Sequence, residues 1–125
     1  MENQENQVNN ENLNKYIDLN SALARVRGNK VVFKKMLGLF SQSTLFADFE
    51  NTLSQKDYLK AAEIAHGIKG MTGNLGMTIL FDESTKLMVH MRTGAAPDEQ
   101  NLKNYREALI KTREYVEKLE KEFGA

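Results

Sequence analysis

Cysteine is absent from this chain, and proline occurs once, at Pro97. The first absence excludes disulfides and thiolate metal sites. The second leaves long stretches without a helix breaker. An excess of charge of one sign is also lacking: 17 Lys+Arg balance 17 Asp+Glu, a formal net charge of zero. Such a balance gives no electrostatic footprint for nucleic acid or for an anionic membrane. No apolar run approaches the ~18 residues of a membrane span. The opening MENQENQVNNEN lacks the basic and apolar segments of a secretory leader. The expectation is one cytoplasmic domain, since 125 residues suffice for one core.

Hydrophobic residues make up 41% of the chain, and Leu, Ala, Lys, Glu and Met are plentiful. These residues favour helix, and no window shows sustained strand alternation. The polar, Asn/Gln/Glu-rich residues 1–14 are expected to form a disordered tail, with the folded domain spanning 15–125. A short helix is expected over Leu19–Arg27, with Asp18 as its cap and Gly28 as its stop. A long one follows over Lys30–Ser54 behind Asn29, with Val32, Phe33, Met36, Leu37, Phe40, Phe46, Phe49 and Leu53 on a broad apolar face. Asp57 opens a helix reaching about Leu75. The next covers Ile79–Thr93, buries Leu80, Leu87, Met88 and Met91, and closes at Gly94. The last begins at Pro97. Its Leu102, Tyr105, Leu109, Thr112, Val116, Leu119 and Phe123 alternate at intervals of three and four, a packing seam. Short connections between such helices point to an all-α, antiparallel four-helix bundle with a short additional N-terminal helix.

The most informative stretch is Ala61–Met77, AAEIAHGIKGMTGNLGM, with a histidine and with Gly67, Gly70, Gly73 and Gly76 at intervals of three. At ~100° per residue, Ile64, Ile68, Met71 and Leu75 form one stripe and His66 lies roughly opposite it. His66 is therefore expected to face water rather than the core. Its neighbours at i−4, i+4 and i+7 are Ala62, Gly70 and Gly73, all small. Glycine inside a helix costs about 0.8–1.0 kcal/mol relative to alanine. Such gaps serve either the close approach of another macromolecule to the imidazole, or close helix–helix packing and a broken helix. Lys69, one turn from His66, can approach an anion attached to the ring or be an ordinary solvated lysine. Leu59, at i−7, lies nearly on the histidine face. It is a candidate contact residue, flanked by Ala62 and Glu63, unless the N-terminal helix covers it.

His66-Gly-Ile-Lys69-Gly70 followed by Leu75-Gly76 resembles the H-x-x-K-G-x(4)-[LIV]-G signature of histidine-containing phosphotransfer (HPt) domains. Ala22–Asn29 and Met91–Gly94 also look similar to that family, and the resemblance extends over about residues 16–123. It implies a phosphorelay intermediate of two-component signalling. His66 would accept a phosphoryl group through Nε2 from the aspartate of one receiver domain and pass it to another. Lys69 would stabilise charge, and Gly70 would give clearance. Leu59, Ala62, Glu63 and Gly73 are the candidate docking residues. The implied partners are response-regulator receiver domains and a hybrid or sensor histidine kinase, and the receiver supplies the Mg²⁺. The carrier, a monomer, needs no cofactor or metal of its own. A neutral imidazole, with an unperturbed pKa near 6.5, is a suitable nucleophile.

The chain shows no ATP-binding pattern and lacks the P-loop signature, so it is not expected to be a kinase or an enzyme in its own right. Gly67–Gly70 also matches a nucleic-acid G-x-x-G loop, whose fold needs strands this sequence lacks. His90 has no acidic or histidine partner at i±4 and is read as structural or merely exposed. The rival functions are the phosphoacceptor module of a chemotaxis-type histidine kinase and a helical adaptor without phosphotransfer. A stand-alone chain disfavours the first, and the presence of both His66 and Lys69 disfavours the second.

Overall fold

The computed structural model describes residues 15–124. The expected tail, residues 1–14, lies outside them. Among the described residues the fold is all-helical: α1 (Leu19–Arg25), α2 (Lys30–Gln42), α3 (Leu45–Ser54), α4 (Tyr58–Asn74), α5 (Thr78–Met91) and α6 (Glu99–Gly124). None of these helices is long and apolar enough to cross a membrane.

Short polar side chains open most of the helices. Donors at a helix start lack intrahelical partners, and a side-chain oxygen satisfies them. The Asp18 carboxylate accepts from the Ser21 amide at 3.1 Å, and Asn29 Oδ1 accepts from Val31 and Val32, each at 3.1 Å. Asp57 accepts from the Lys60 amide at 3.2 Å, and Asp98 from the Asn101 amide at 3.0 Å. Helix α6 thus starts at Glu99 behind Asp98, its cap, rather than at Pro97 as expected. Helix α1 ends at Arg25, and the chain turns through Arg27 and Gly28, with φ of 54° and 75°.

The expected single helix over Lys30–Ser54 is two helices. Ser43 is extended, with ψ 136°, and its hydroxyl accepts from the Leu45 amide at 3.2 Å. Thr44 Oγ1 donates to Asp48 at 3.2 Å. Serine and threonine offer the backbone this alternative to helical pairing. The break also has a packing reason. At ~100° per residue, an unbroken helix would aim Phe46 and Phe49 roughly opposite to Phe33, Leu37 and Phe40. The kink re-aims the second group, and all five are buried. Phe40 and Phe46 then meet edge to face, 5.2 Å between centroids, a favoured aromatic geometry. Val32, expected in the core, is 40% exposed because it sits on the flank of that face, and Met36 and Leu53 are only partly buried.

Helix α4 packs against α5, α5 against α6, α3 against α4 and α2 against α6, with α1 touching α2. The core joins Phe33, Leu37, Phe40 and Phe49 to Ile68, Leu80, Leu87, Met91 and Tyr105, all within 1% of full burial. The seam on α6 is buried at Tyr105, Leu109, Thr112, Val116 and Leu119, with Leu102 and Phe123 partly covered. Phe49 and Tyr105 stack edge to face at 5.1 Å, and so do Phe33 and Phe123 at 5.8 Å. This shell holds α4 in place along its length, and α4 carries the histidine.

Candidate functional site

Helix α4 ends in a Schellman motif at Gly76. The Met77 amide donates to the Thr72 carbonyl at 3.0 Å and the Gly76 amide to the Gly73 carbonyl at 3.3 Å. These bonds satisfy carbonyls that the helix end leaves over. Helix α1 fastens onto the same end. The Asp18 amide donates to the Gly76 carbonyl at 2.7 Å, and the Arg25 guanidinium donates to the Gly73 carbonyl.

The buried side of α4 is Ala61, Ala65, Ile68, Thr72 and Leu75, while Ile64 and Met71 are only partly covered. The expected stripe is therefore rotated by roughly 60° toward the alanines. Their small side chains allow neighbouring helices to lie close. Thr72 is tolerated there because its hydroxyl donates to the Ile68 carbonyl at 2.8 Å and approaches that of Lys69 at 3.1 Å. His66 still lies far from the centre of the buried face, and it is exposed.

His66 stands on a ridge between two grooves. One, of about 510 Å³, runs between α1, α4 and α5 and is lined by Arg25, Lys69, Gly70, Asn74, Phe81 and Asp82 besides the histidine. The other, of about 420 Å³, is lined by Leu59, Ala62, Glu63 and Arg92. Lys69 is half-buried, and its ammonium lies 5.8 Å from the centroid of the Phe81 ring. That cation–π contact holds the lysine along the groove wall instead of leaving it free in solvent.

The glycines at intervals of three have different causes. A Cβ at Gly76 would come within 2.6 Å of the Asp18 carbonyl oxygen, and its φ of +66° also favours glycine. At Gly73 a Cβ would meet the Phe81 ring at 3.1 Å, and at Gly67 it would meet Leu45 at 3.4 Å. A Cβ at Gly70 would meet nothing within 4 Å. Internal packing therefore demands glycine at Gly76 and favours it at Gly73, an expected docking position whose missing side chain makes room for Phe81, whereas the contact of a Cβ at Gly67 with Leu45 is an ordinary van der Waals one that does not call for glycine. Only Gly70, one turn from His66, is left without a neighbour inside the protein.

The remaining candidates divide. Leu59 is 60% exposed and is not covered by α1. Glu63 is exposed, beside it in the second groove. Ala62, expected to flank the Leu59 contact, is 3% exposed and forms the floor of the same groove. Arg25, Arg92 and Phe81 line the histidine's grooves and carry no local sequence signal for it, because they arrive from α1, the end of α5 and the body of α5. His90 is exposed in the last turn of α5 and lines neither groove. Among the described residues no group of three or more His, Asp or Glu side chains could hold a metal ion. No family model, characterised protein or solved structure matches the chain.

Proposed function

We propose that this chain is a phosphoryl carrier of the histidine-containing phosphotransfer type, a cytoplasmic phosphorelay intermediate built as an antiparallel four-helix bundle with a short extra N-terminal helix. In this reading α2 and α3 together make one member of the bundle, and α4, α5 and α6 make the others. The observation that carries the function is the pairing of an exposed His66 with Gly70, a helical glycine one turn away that no internal contact explains. A helix gives up stability at such a glycine, and an incoming active site that must reach the imidazole accounts for the loss.

The step is a direct displacement. The Nε2 lone pair forms a bond to phosphorus as the bond from phosphorus to the receiver's aspartyl oxygen breaks. The electron pair leaves on that carboxylate, and the ring is cationic until Nδ1 releases its proton to solvent. Lys69, alongside in the groove, stabilises charge on the phosphoryl oxygens in flight and at rest. The receiver brings the Mg²⁺ and fixes the in-line approach. Leu59 offers apolar contact, and Glu63 flanks it. A hybrid or sensor histidine kinase stands upstream, because the carrier in this reading makes no use of ATP.

The test is transfer from a labelled, phosphorylated receiver domain of the same cell. The wild type should take up acid-labile, base-stable label. His66→Gln should take up none while keeping its circular dichroism spectrum. Equal labelling of both proteins rules out the site. Tight receiver binding without label on either protein marks an adaptor instead.

A further inference from the structure

The groove between α1, α4 and α5 holds charge that the protein itself leaves uncompensated. Arg25 and Lys69 line it with Asp82, two cations against one anion. The ion pairs Lys86–Glu83, Arg106–Glu50 and Lys111–Glu114 all lie elsewhere, and none involves Arg25, Lys69 or Asp82. Lys69 is drawn to the Phe81 ring. Arg25 is exposed, and one guanidinium nitrogen, Nη1, is tied to the Gly73 carbonyl. Arginine carries five N–H donors in a rigid fork, so most of its donors remain available.

That anchor matters for recognition. A surface arginine normally loses much side-chain freedom when it engages a partner. Here the bond to α4 holds the guanidinium at the groove wall beforehand. The anchor point, Gly73, lies two turns along α4 from His66, at ~1.5 Å per residue. Arg25 therefore stands beyond the phosphoryl group and marks the partner's flank rather than the reacting atoms.

We infer that Arg25 is a specificity-determining residue, which selects phosphate-exchanging partners that present a carboxylate to the α1 side of the groove. This rests on the proposed phosphotransfer function. The occupant is a protein surface bearing Asp or Glu, the chemistry that matches a net positive groove on a chain with no net charge. A charge at the rim of an interface acts mainly on encounter and on salt dependence, not on the chemical step.

The experiment uses the full chain and the receiver domain of the same cell that labels wild type fastest. Transfer is followed against receiver concentration at about 25 mM and about 500 mM salt, which spans strong to weak screening. At low salt Arg25→Glu should raise KM about tenfold with kcat within about twofold, and high salt should shrink the difference to about twofold. Arg25→Lys keeps the charge but loses the fork and its anchor, so its KM should fall between those of wild type and Arg25→Glu. Reversing the matching receiver carboxylate to lysine should restore Arg25→Glu. An Arg25→Glu protein with wild-type KM overturns the inference, as does one whose kcat alone falls. A loss of equal size at both salt concentrations, with a lowered melting temperature, shows that Arg25 only clasps α1 to α4, and overturns it too. A wild type that exchanges label with no receiver defeats the functional reading itself, and this inference with it.

Discussion

Replacing Gly70 should make the protein more stable and a worse carrier, and the size of each effect follows from the structure. Position 70 lies inside α4, four residues from its end, and a Cβ there touches nothing within 4 Å. Gly70→Ala therefore removes the glycine penalty of about 0.8–1.0 kcal/mol and adds neither packing nor strain. For a domain of this size that should raise the melting temperature by roughly 3–5 °C. Gly70→Gln keeps most of the stability, because glutamine is also a good helix former. Its side chain, however, rises on the face of His66, where residues at i and i+4 lie about 5–6 Å apart at Cβ. A receiver held about 1 Å out of line loses roughly a hundredfold in transfer rate. Thermal melts by circular dichroism and rapid-quench transfer from a phosphorylated receiver measure the two effects. Gly38 provides the control. It lies inside α2, and a Cβ there also meets nothing within 4 Å. Gly38→Ala should match the stability gain and leave transfer at the wild-type rate. Unchanged transfer in Gly70→Gln would refute the clearance reasoning. A destabilised Gly70→Ala would refute the view that nothing inside the protein needs that glycine.

Other substitutions test the neighbouring links. Lys69→Ala should slow transfer about tenfold to a hundredfold with helix content unchanged; a wild-type rate in the same quench assay would remove its electrostatic role. Gly76→Ala should cost at least about 2 kcal/mol in urea unfolding, because it combines a left-handed φ with a backbone clash that only a shift of α1 could relieve; a midpoint near wild type would show that α1 does not hold the end of α4. Tyr105 bears on pH. Its hydroxyl is buried and has no hydrogen-bond partner among the described residues. Burial first, and the Glu50 carboxylate second, push its pKa well above the usual tyrosine value, with Arg113 and Arg106 opposing. A pKa raised in the folded state favours the neutral phenol, so that contribution is intact below about pH 10 and is lost as pH rises further. Tyr105→Phe should therefore move the alkaline unfolding midpoint upward, and should gain about 1 kcal/mol at neutral pH by removing an unsatisfied buried hydroxyl; an unchanged alkaline midpoint would mean that Tyr105 does not govern that transition.

Much of the fold was legible because the signals are local. Asp18, Asn29 and Asp57 announce helix starts through side-chain bonds to amides two or three residues on, and the α6 seam lies within one helix. The break at Ser43 was less visible, though phase carried it. Phe33, Leu37 and Phe40 cannot share a straight helix with Phe46 and Phe49 and bury the same face, and the hydroxyls of Ser43 and Thr44 sit where the phase must change. Arg25 and Arg92 were not legible as neighbours of His66. They lie 41 and 26 positions from it, and only the packing of α1 and α5 on α4 brings them to its grooves.

The glycines show where sequence spacing stops being evidence. Four of them at intervals of three look like one feature with one purpose. Yet what each would touch is decided by residues remote in the chain: Leu45 for Gly67, Phe81 for Gly73, the Asp18 carbonyl for Gly76. Gly73 and Gly76 are small so that this protein can close on itself, a Cβ at Gly67 would make an ordinary contact with Leu45, and an unrelated helical protein could need the same two. The regular interval is therefore no argument for a partner. What remains is a single position whose missing side chain leaves empty space beside an exposed imidazole, and where alanine would make the isolated protein more stable. Gly38 in α2 leaves the same empty space, so a glycine that folding does not require is no evidence by itself. At position 70 it gains meaning from its neighbour, because whatever uses the cleared space must come within a helical turn of His66.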